Sequence, residues 1–314
     1  MKRTFISCLI LACMLCSCSS SSSDYMEEPM VNNVVVDESN SLSSVNAQIE
    51  ALNQEMFTTT ASSVQPRKGL WRKFRHFFAV VICDAAGGLV GSLAGPAGAA
   101  AGAMLSSGLA AVTPSENIQY PMAKVASANT SAFASMNSEA IALSKGIVPV
   151  DSTSQKASLN DSIGYYHNQL MLKMGNELVY SDSINKQIAD NVITLTASNY
   201  SVPLKEVSSY VESNKTFFDN ITNKGLCSTD DVQSIEGIIK KWIAIYPEYS
   251  SQFEVLQSFI EGVSNLDVDV NDGTYLNKVL GIINTSTLSD TMKQSLRNAF
   301  IVGNASYQLW NTGE

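Results

Sequence analysis

Only two histidines, His76 and His167, occur in 314 residues, and charged side chains make up just 16% of the chain. No Cys-x-x-Cys pair lies beyond residue 18, so the ligand spacing of a structural zinc site is missing. No serine sits in a Gly-x-Ser-x-Gly elbow, and no Gly-x-x-x-x-Gly-Lys-Ser/Thr loop is present to cradle phosphate. The glycines never take the Gly-x-Gly-x-x-Gly spacing of a dinucleotide loop. Nor does any stretch alternate with period two for long enough to argue a sheet. The formal charge is -9, which disfavours nucleic acid as a partner. These absences leave no catalytic residue, metal or cofactor to assign, and an enzyme is not expected.

What is present begins at the N-terminus. Lys2 and Arg3 precede an apolar run, Phe5 to Leu15, too short to span a bilayer. It ends in Leu15-Cys16-Ser17-Cys18, which resembles a bacterial lipobox. The resemblance implies a signal peptide over residues 1–17, lipidation of Cys18, and attachment to the cell envelope, at the outer membrane or cell surface. Residues 18–40, with the polar tract Ser19 to Ser23, read as a flexible tether. Of the six cysteines, only Cys83 and Cys227 then belong to the folded part. An oxidising compartment allows a single disulfide between them. The preferred reading is a buried Cys83 acting as a small hydrophobe.

Leu42, Val45, Ile49, Leu52 and Met56 recur at helical spacing, so residues 41–58 form an amphipathic helix expected to dock on the body. Residues 66–112 are unusual. Arg67, Lys68, Trp71, Arg72, Lys73, Phe74 and Arg75 form a basic aromatic stretch of charge +5, against about -16 for the rest of the mature chain. Phe77 to Val112 follow, small and apolar, with Asp84 the only charge. Gly87, Gly91 and Gly95 repeat every fourth residue, and Gly98 and Gly102 start a second run continued by Ser106 and Ala110. Pro96 splits the segment, because an interior proline removes a helix hydrogen bond and costs roughly 3 kcal/mol. The expectation is a helical hairpin, about Trp71 to Ala94 and Ala97 to Val112, with its glycine ridges in close contact. The basic run also suits contact with anionic lipid through Arg67, Lys68, Trp71, Arg72, Lys73 and Arg75.

Residues 113–157 are an Ala/Ser-rich connection. From 158 to 314 the periodicity predicts an α-helical domain of about six or seven helices with short loops. One helix is expected from Pro203 through Leu204, Val207, Val211 and Phe218 to Gly225, and the next is expected to be capped by Ser228 or Thr229. The fold class is therefore all-α: a glycine-zipper hairpin plus a C-terminal multi-helix bundle on a flexible tether.

His167 lies beside Asn168 on an apolar helix face, where a half-buried histidine bonded to a backbone or amide group is expected. A thiol hydrolase built from Cys227, His167 and Asn168 is disfavoured, since neighbouring His and Asn cannot readily orient one another in sequence. Asp267, Asp269, Asn271, Asp272 and Gly273 resemble a calcium loop, but its sixth position is Asp272 and its twelfth Lys278. An acidic turn is the better reading. Asp151-Ser152-Thr153, Asp161-Ser162-Ile163, Asp182-Ser183-Ile184 and Asp290-Thr291-Met292 resemble the acceptor of bacterial periplasmic O-glycosylation. The plainer account is helix capping.

Lipobox, basic stretch, zipper and helical half together resemble exported bacterial lipoproteins of uncharacterised function. The zipper alone is similar to small glycine-rich membrane-active toxins. The first likeness implies a non-enzymatic, envelope-anchored protein that binds a protein partner, or itself. The second implies an effector that inserts its hairpin into a bilayer.

Overall fold

Two helices whose facing segments are small and apolar lie at the centre of a helical bundle. The computed structural model describes residues 38–60, 70–112, 183–228, 234–266 and 274–310, with 163, 164, 166–168, 171 and 232. Among them the regular structure is helical, without strands. In chain order the helices are α1 (Glu38–Thr60), α2 (Leu70–Gly91), α3 (Gly95–Val112), α4 (Ile184–Tyr200) and α5 (Leu204–Ser213). They continue as α6 (Lys215–Asn223), α7 (Ile235–Ile245), α8 (Ser250–Leu266), α9 (Thr274–Thr285) and α10 (Asp290–Trp310). Residues 36–314 form one compact unit.

The α2–α3 turn follows from two residue types. Gly95 has φ +78°, a conformation that a side chain would strain, and Pro96 then occupies the first turn of α3, where its missing N–H costs nothing. A short 3₁₀ turn, Ser92–Ala94, completes the connection. The reversal thus happens at Gly95, one residue before the proline.

From Phe78 to Gly91 every residue of α2 is buried, as are Gly98 to Ala110 of α3. A helix that is apolar on all sides must be surrounded. Helices α4, α5 and α6 pack on α3, while α10, α7 and α8 pack on α2. Amphipathic α1 lies outermost, against α8 and α9. Its buried stripe is Leu42, Val45, Ile49 and Leu52, the residues its periodicity selects. Asn53 ties it down: its Nδ2 donates to Ser258 O at 2.8 Å, and its Oδ1 accepts from the Tyr275 hydroxyl at 2.8 Å.

Two local expectations are corrected. The helix expected from Pro203 to Gly225 is two, α5 and α6, broken at Asn214. There the Asn214 side chain donates to Tyr210 O at 2.9 Å, offering the backbone a competing local bond. Leu204, expected on the buried face, is 56% exposed. The cap of α7 is Ser234, whose Oγ accepts from Gly237 N at 3.1 Å, in place of Ser228 or Thr229. Among the described residues no helix is long and apolar enough to cross a membrane.

Candidate functional site

The polar centre of the molecule is assembled around Asp84, the lone charge of the apolar run. An isolated carboxylate in such surroundings would be expensive, so its partners define the site. The first comes from α10, which runs antiparallel to α2. Ser306 Oγ donates to Asp84 Oδ2 in a short hydrogen bond. Farther along the same seam, Ser295 Oγ donates to Leu89 O at 3.4 Å, and Asn298 Nδ2 donates to Ser92 Oγ at 3.0 Å. Gly303 lets these two helices approach, whereas Gly88 has room for a methyl. A Cβ on Gly88 would lie 3.7 Å from Ala299 Cα, and one on Gly303 would lie 3.3 Å from Ala85 Cβ.

The second partner is His167. Its ring Nε2 faces Asp84 Oδ2 at 3.5 Å, with both side chains at 0% exposure. The helical turn that carries His167 presses against α10 through Gly164. A Cβ on Gly164 would sit 2.8 Å from Ala305 Cβ and 2.9 Å from Ile301 O. Three and four residues later on that face come His167 and Asn168. Asn168 Nδ2 donates to Ala305 O at 2.8 Å, leaving its Oδ1 to accept from His167 Nδ1 at 2.9 Å. Nδ1 is thus the nitrogen that meets the amide, and Nε2 the nitrogen that faces the carboxylate.

Chemically this unit is sealed from solvent. The carboxylate stands between serine and histidine, whereas nucleophile activation needs the histidine between serine and acid. All three side chains are fully buried. The arrangement holds α2, α10 and the His167 turn together. The expectation for His167 is met in its amide partner and corrected in its burial, which is complete.

Next to Asp84, Cys83 bonds Cys227 in a disulfide that spans 144 residues, with the Cα atoms 6.4 Å apart. This corrects the reading of Cys83 as an unbonded hydrophobe. Both cysteines are at 0% exposure, and Cys227 has no thiol to serve as a nucleophile. The bond joins the centre of α2 to the turn after α6, closed by Gly225 at φ +58°.

Gly87 and Gly91 lie four residues apart on the side of α2 that meets α3. Gly87 faces Gly102 and Gly91 faces Gly98 in antiparallel register. A Cβ on Gly91 would fall within 2.9 Å of Ala99 Cα, and one on Gly98 within 2.6 Å of both Ala94 Cβ and Gly91 O. A Cβ on Gly102 would lie 2.9 Å from the Tyr210 hydroxyl, reaching in from α5. Gly95 differs: no atom approaches its Cβ position within 4 Å, and its role is the turn.

Cys18, Arg67, Lys68 and the acidic run from Asp267 to Gly273 lie outside the described residues. Trp71, Arg72, Lys73 and Arg75 fall within the opening turns of α2. Lys278, the twelfth position of the calcium-loop resemblance, approaches Glu55 of α1 at 3.9 Å. Among the described residues no three His, Cys, Asp or Glu side chains converge as metal ligands.

Sequence reasoning missed Ser306 and the pairing of Asp84 with His167. A signal existed, since one acid within a long apolar run must find a buried partner, but nothing in one dimension says which. Comparison with protein-family models, curated proteins and solved structures finds no match.

Proposed function

We propose that this chain is a non-enzymatic lipoprotein, anchored to the bacterial cell envelope through Cys18, that acts by binding or structural association with a protein partner or with itself. The observation that carries the reading is the Cys83–Cys227 disulfide, buried at the centre of the bundle. Such bonds form and persist in oxidising compartments, where the lipobox would send the chain. The non-catalytic part is supported by the polar centre, whose ionisable groups face each other and are sealed from solvent.

Insertion of the hairpin into a bilayer would expose the faces of α2 and α3 that now meet six other helices. That requires separating α2 from α10 and breaking the Asp84 unit. The anchored, folded form is the better-supported state.

Metabolic labelling with a clickable fatty acid and membrane fractionation test the anchor. Wild-type chain should label and fractionate with the envelope, and Cys18→Ala should do neither. Unlabelled wild-type protein would overturn the anchor. Photo-crosslinking in intact cells, from exposed Leu93 (54%) and Leu204 (56%), tests association. A discrete adduct with one envelope protein or a second copy is expected, and its absence from both positions argues against the binding role.

A further inference from the structure

The packed faces of the hairpin, the disulfide and the Asp84 unit are interior, so any modification of the folded chain must use the surface. Two of the four Asp-Ser/Thr-apolar tripeptides have described acceptor residues, Ser183 and Thr291, and both acceptors are exposed. Capping is the competing explanation for these sequences, and the geometry does not support it. At α10 the cap is Ser289: its Oγ accepts from Met292 N at 3.3 Å, and its carbonyl accepts from Lys293 N at 2.9 Å. Asp290 and Thr291 are then surplus to capping. At α4, Ser183 holds the cap position without a side-chain capping bond, and its Oγ accepts from Gln187 Nε2 at 3.3 Å.

The hydroxyls around Thr291 are occupied. Thr285 Oγ1 donates to Gly281 O, Ser286 Oγ donates to Ile283 O, and Thr287 Oγ1 pairs with Ser41 Oγ. Thr291 stands apart as an exposed hydroxyl beside an exposed acid on a helix that is otherwise well anchored. Two residues before it, Ser289 N donates to Glu38 Oε1 at 3.0 Å, so Thr291 lies near the point where α1 begins.

From this we infer that Thr291 is an O-glycosylation site, with Ser183 a second, and Asp290 the acid by which a glycosyltransferase recognises it. The donor class is a glycosyl phosphate carried on a lipid or nucleotide. Thr291 Oγ1 attacks the anomeric carbon, and a C–O glycosidic bond forms as the anomeric C–O bond to phosphate breaks. The phosphate leaves with the electron pair, and the hydroxyl proton passes to a base of the transferase. No oxidation change occurs. A glycan here would lie on the exposed start of α10 and touch none of the packed faces.

The inference shares with the proposed function only the requirement for export. Its test is peptide mass spectrometry on the full-length chain isolated from the cell that encodes it. The peptide holding Thr291 should carry a saccharide mass that is absent from Thr291→Ala and Asp290→Asn. Ser289→Ala should keep the saccharide while lowering the thermal midpoint, which separates modification from capping. An unmodified wild-type peptide overturns the site, and a saccharide retained in Asp290→Asn overturns the role of the acid. Envelope-located chain without saccharide fails this inference alone, whereas chain that never leaves the cytosol fails both.

Discussion

His167 Nε2 faces Asp84 Oδ2 at 3.5 Å, and neither side chain is reached by solvent. Among the described residues, two side chains 83 positions apart thereby place the one buried acid against the one histidine. Removing one partner leaves the other buried with a single remaining hydrogen bond, Asp84 to Ser306 or His167 to Asn168. His167→Leu or Asp84→Leu should each lower the unfolding free energy by about 3 to 5 kcal/mol. The double variant should lose less than the sum of the two single losses, because the mutual term of the pair is then removed only once, while Ser306 Oγ and Asn168 Oδ1 lose their partners in either background. Denaturant titration of all four proteins checks this, and additive losses would dissolve the pair.

The disulfide closes a loop of 144 residues, for which chain-entropy reasoning gives about 5 kcal/mol. Cys83→Ser with Cys227→Ser should lose a stabilisation of that order. In the wild type, thiol-reactive reagents should modify neither residue until the protein is both unfolded and reduced. Labelling of Cys227 in native, oxidised protein would contradict the bond.

Two glycines should respond to alanine in opposite directions. Gly91→Ala places a methyl against Gly98 O and Ala99 Cα, where backbone must move, at a cost of about 1 to 3 kcal/mol. Gly281→Ala, in the interior of α9 with open space around it, should raise stability by up to about 1 kcal/mol. Thermal melts of both variants decide. A neutral Gly91→Ala would mean that the helices stand farther apart than described.

Alkali should unfold the protein cooperatively. Burial raises the pKa of Tyr200, Tyr210 and Tyr275 well above the ordinary 10.0, with a smaller upward push on Tyr200 from Tyr166 and on Tyr210 from Tyr249. For Tyr275 the hydrogen bond with Asn53 works in the opposite sense, and burial prevails. A group whose pKa is raised by folding holds its proton longer in the native state. Its stabilising share is full below the unfolded value and is lost as pH rises past it. Tyrosinate absorbance should therefore rise together with loss of helical dichroism, in one transition above pH 10.0. Tyr210→Phe should shift that transition upward.

Glu261 gives the same sign at acid pH. Burial pushes its carboxyl above the usual value, Glu236 and Glu50 add to the push, and the hydrogen bond from Gln257 opposes it. Its folded pKa is raised, so stability declines as pH climbs from 4.5 through the raised value. Glu261→Gln should remove that part of the decline and be the more stable protein at neutral pH. A wild-type pH profile identical to that of the variant would refute the shift.

Much of this architecture is local information. The spacing of Leu42, Val45, Ile49 and Leu52, of Ile188, Val192 and Leu195, and of Leu276, Val279, Leu280 and Ile283 places each set on one helical face, and all are buried. The reversal near Pro96 and the close at Gly225 come from single-residue backbone chemistry. Asn214 shows where this reasoning fails, because a side-chain bond to the preceding turn divides a continuous apolar pattern into α5 and α6.

The all-α class, the order of most helices and the need for a close partner along the glycines are properties of the chain read in one dimension, since helical period, capping and glycine cost act over a few residues. Which surface meets which was decided only in three dimensions. Tertiary packing set Gly91 on Gly98, bonded Cys83 to Cys227, and put Asp84 between Ser306 and His167. Those choices depend on burial and on satisfying polar groups supplied by helices far apart in sequence, and no local spacing encodes that demand.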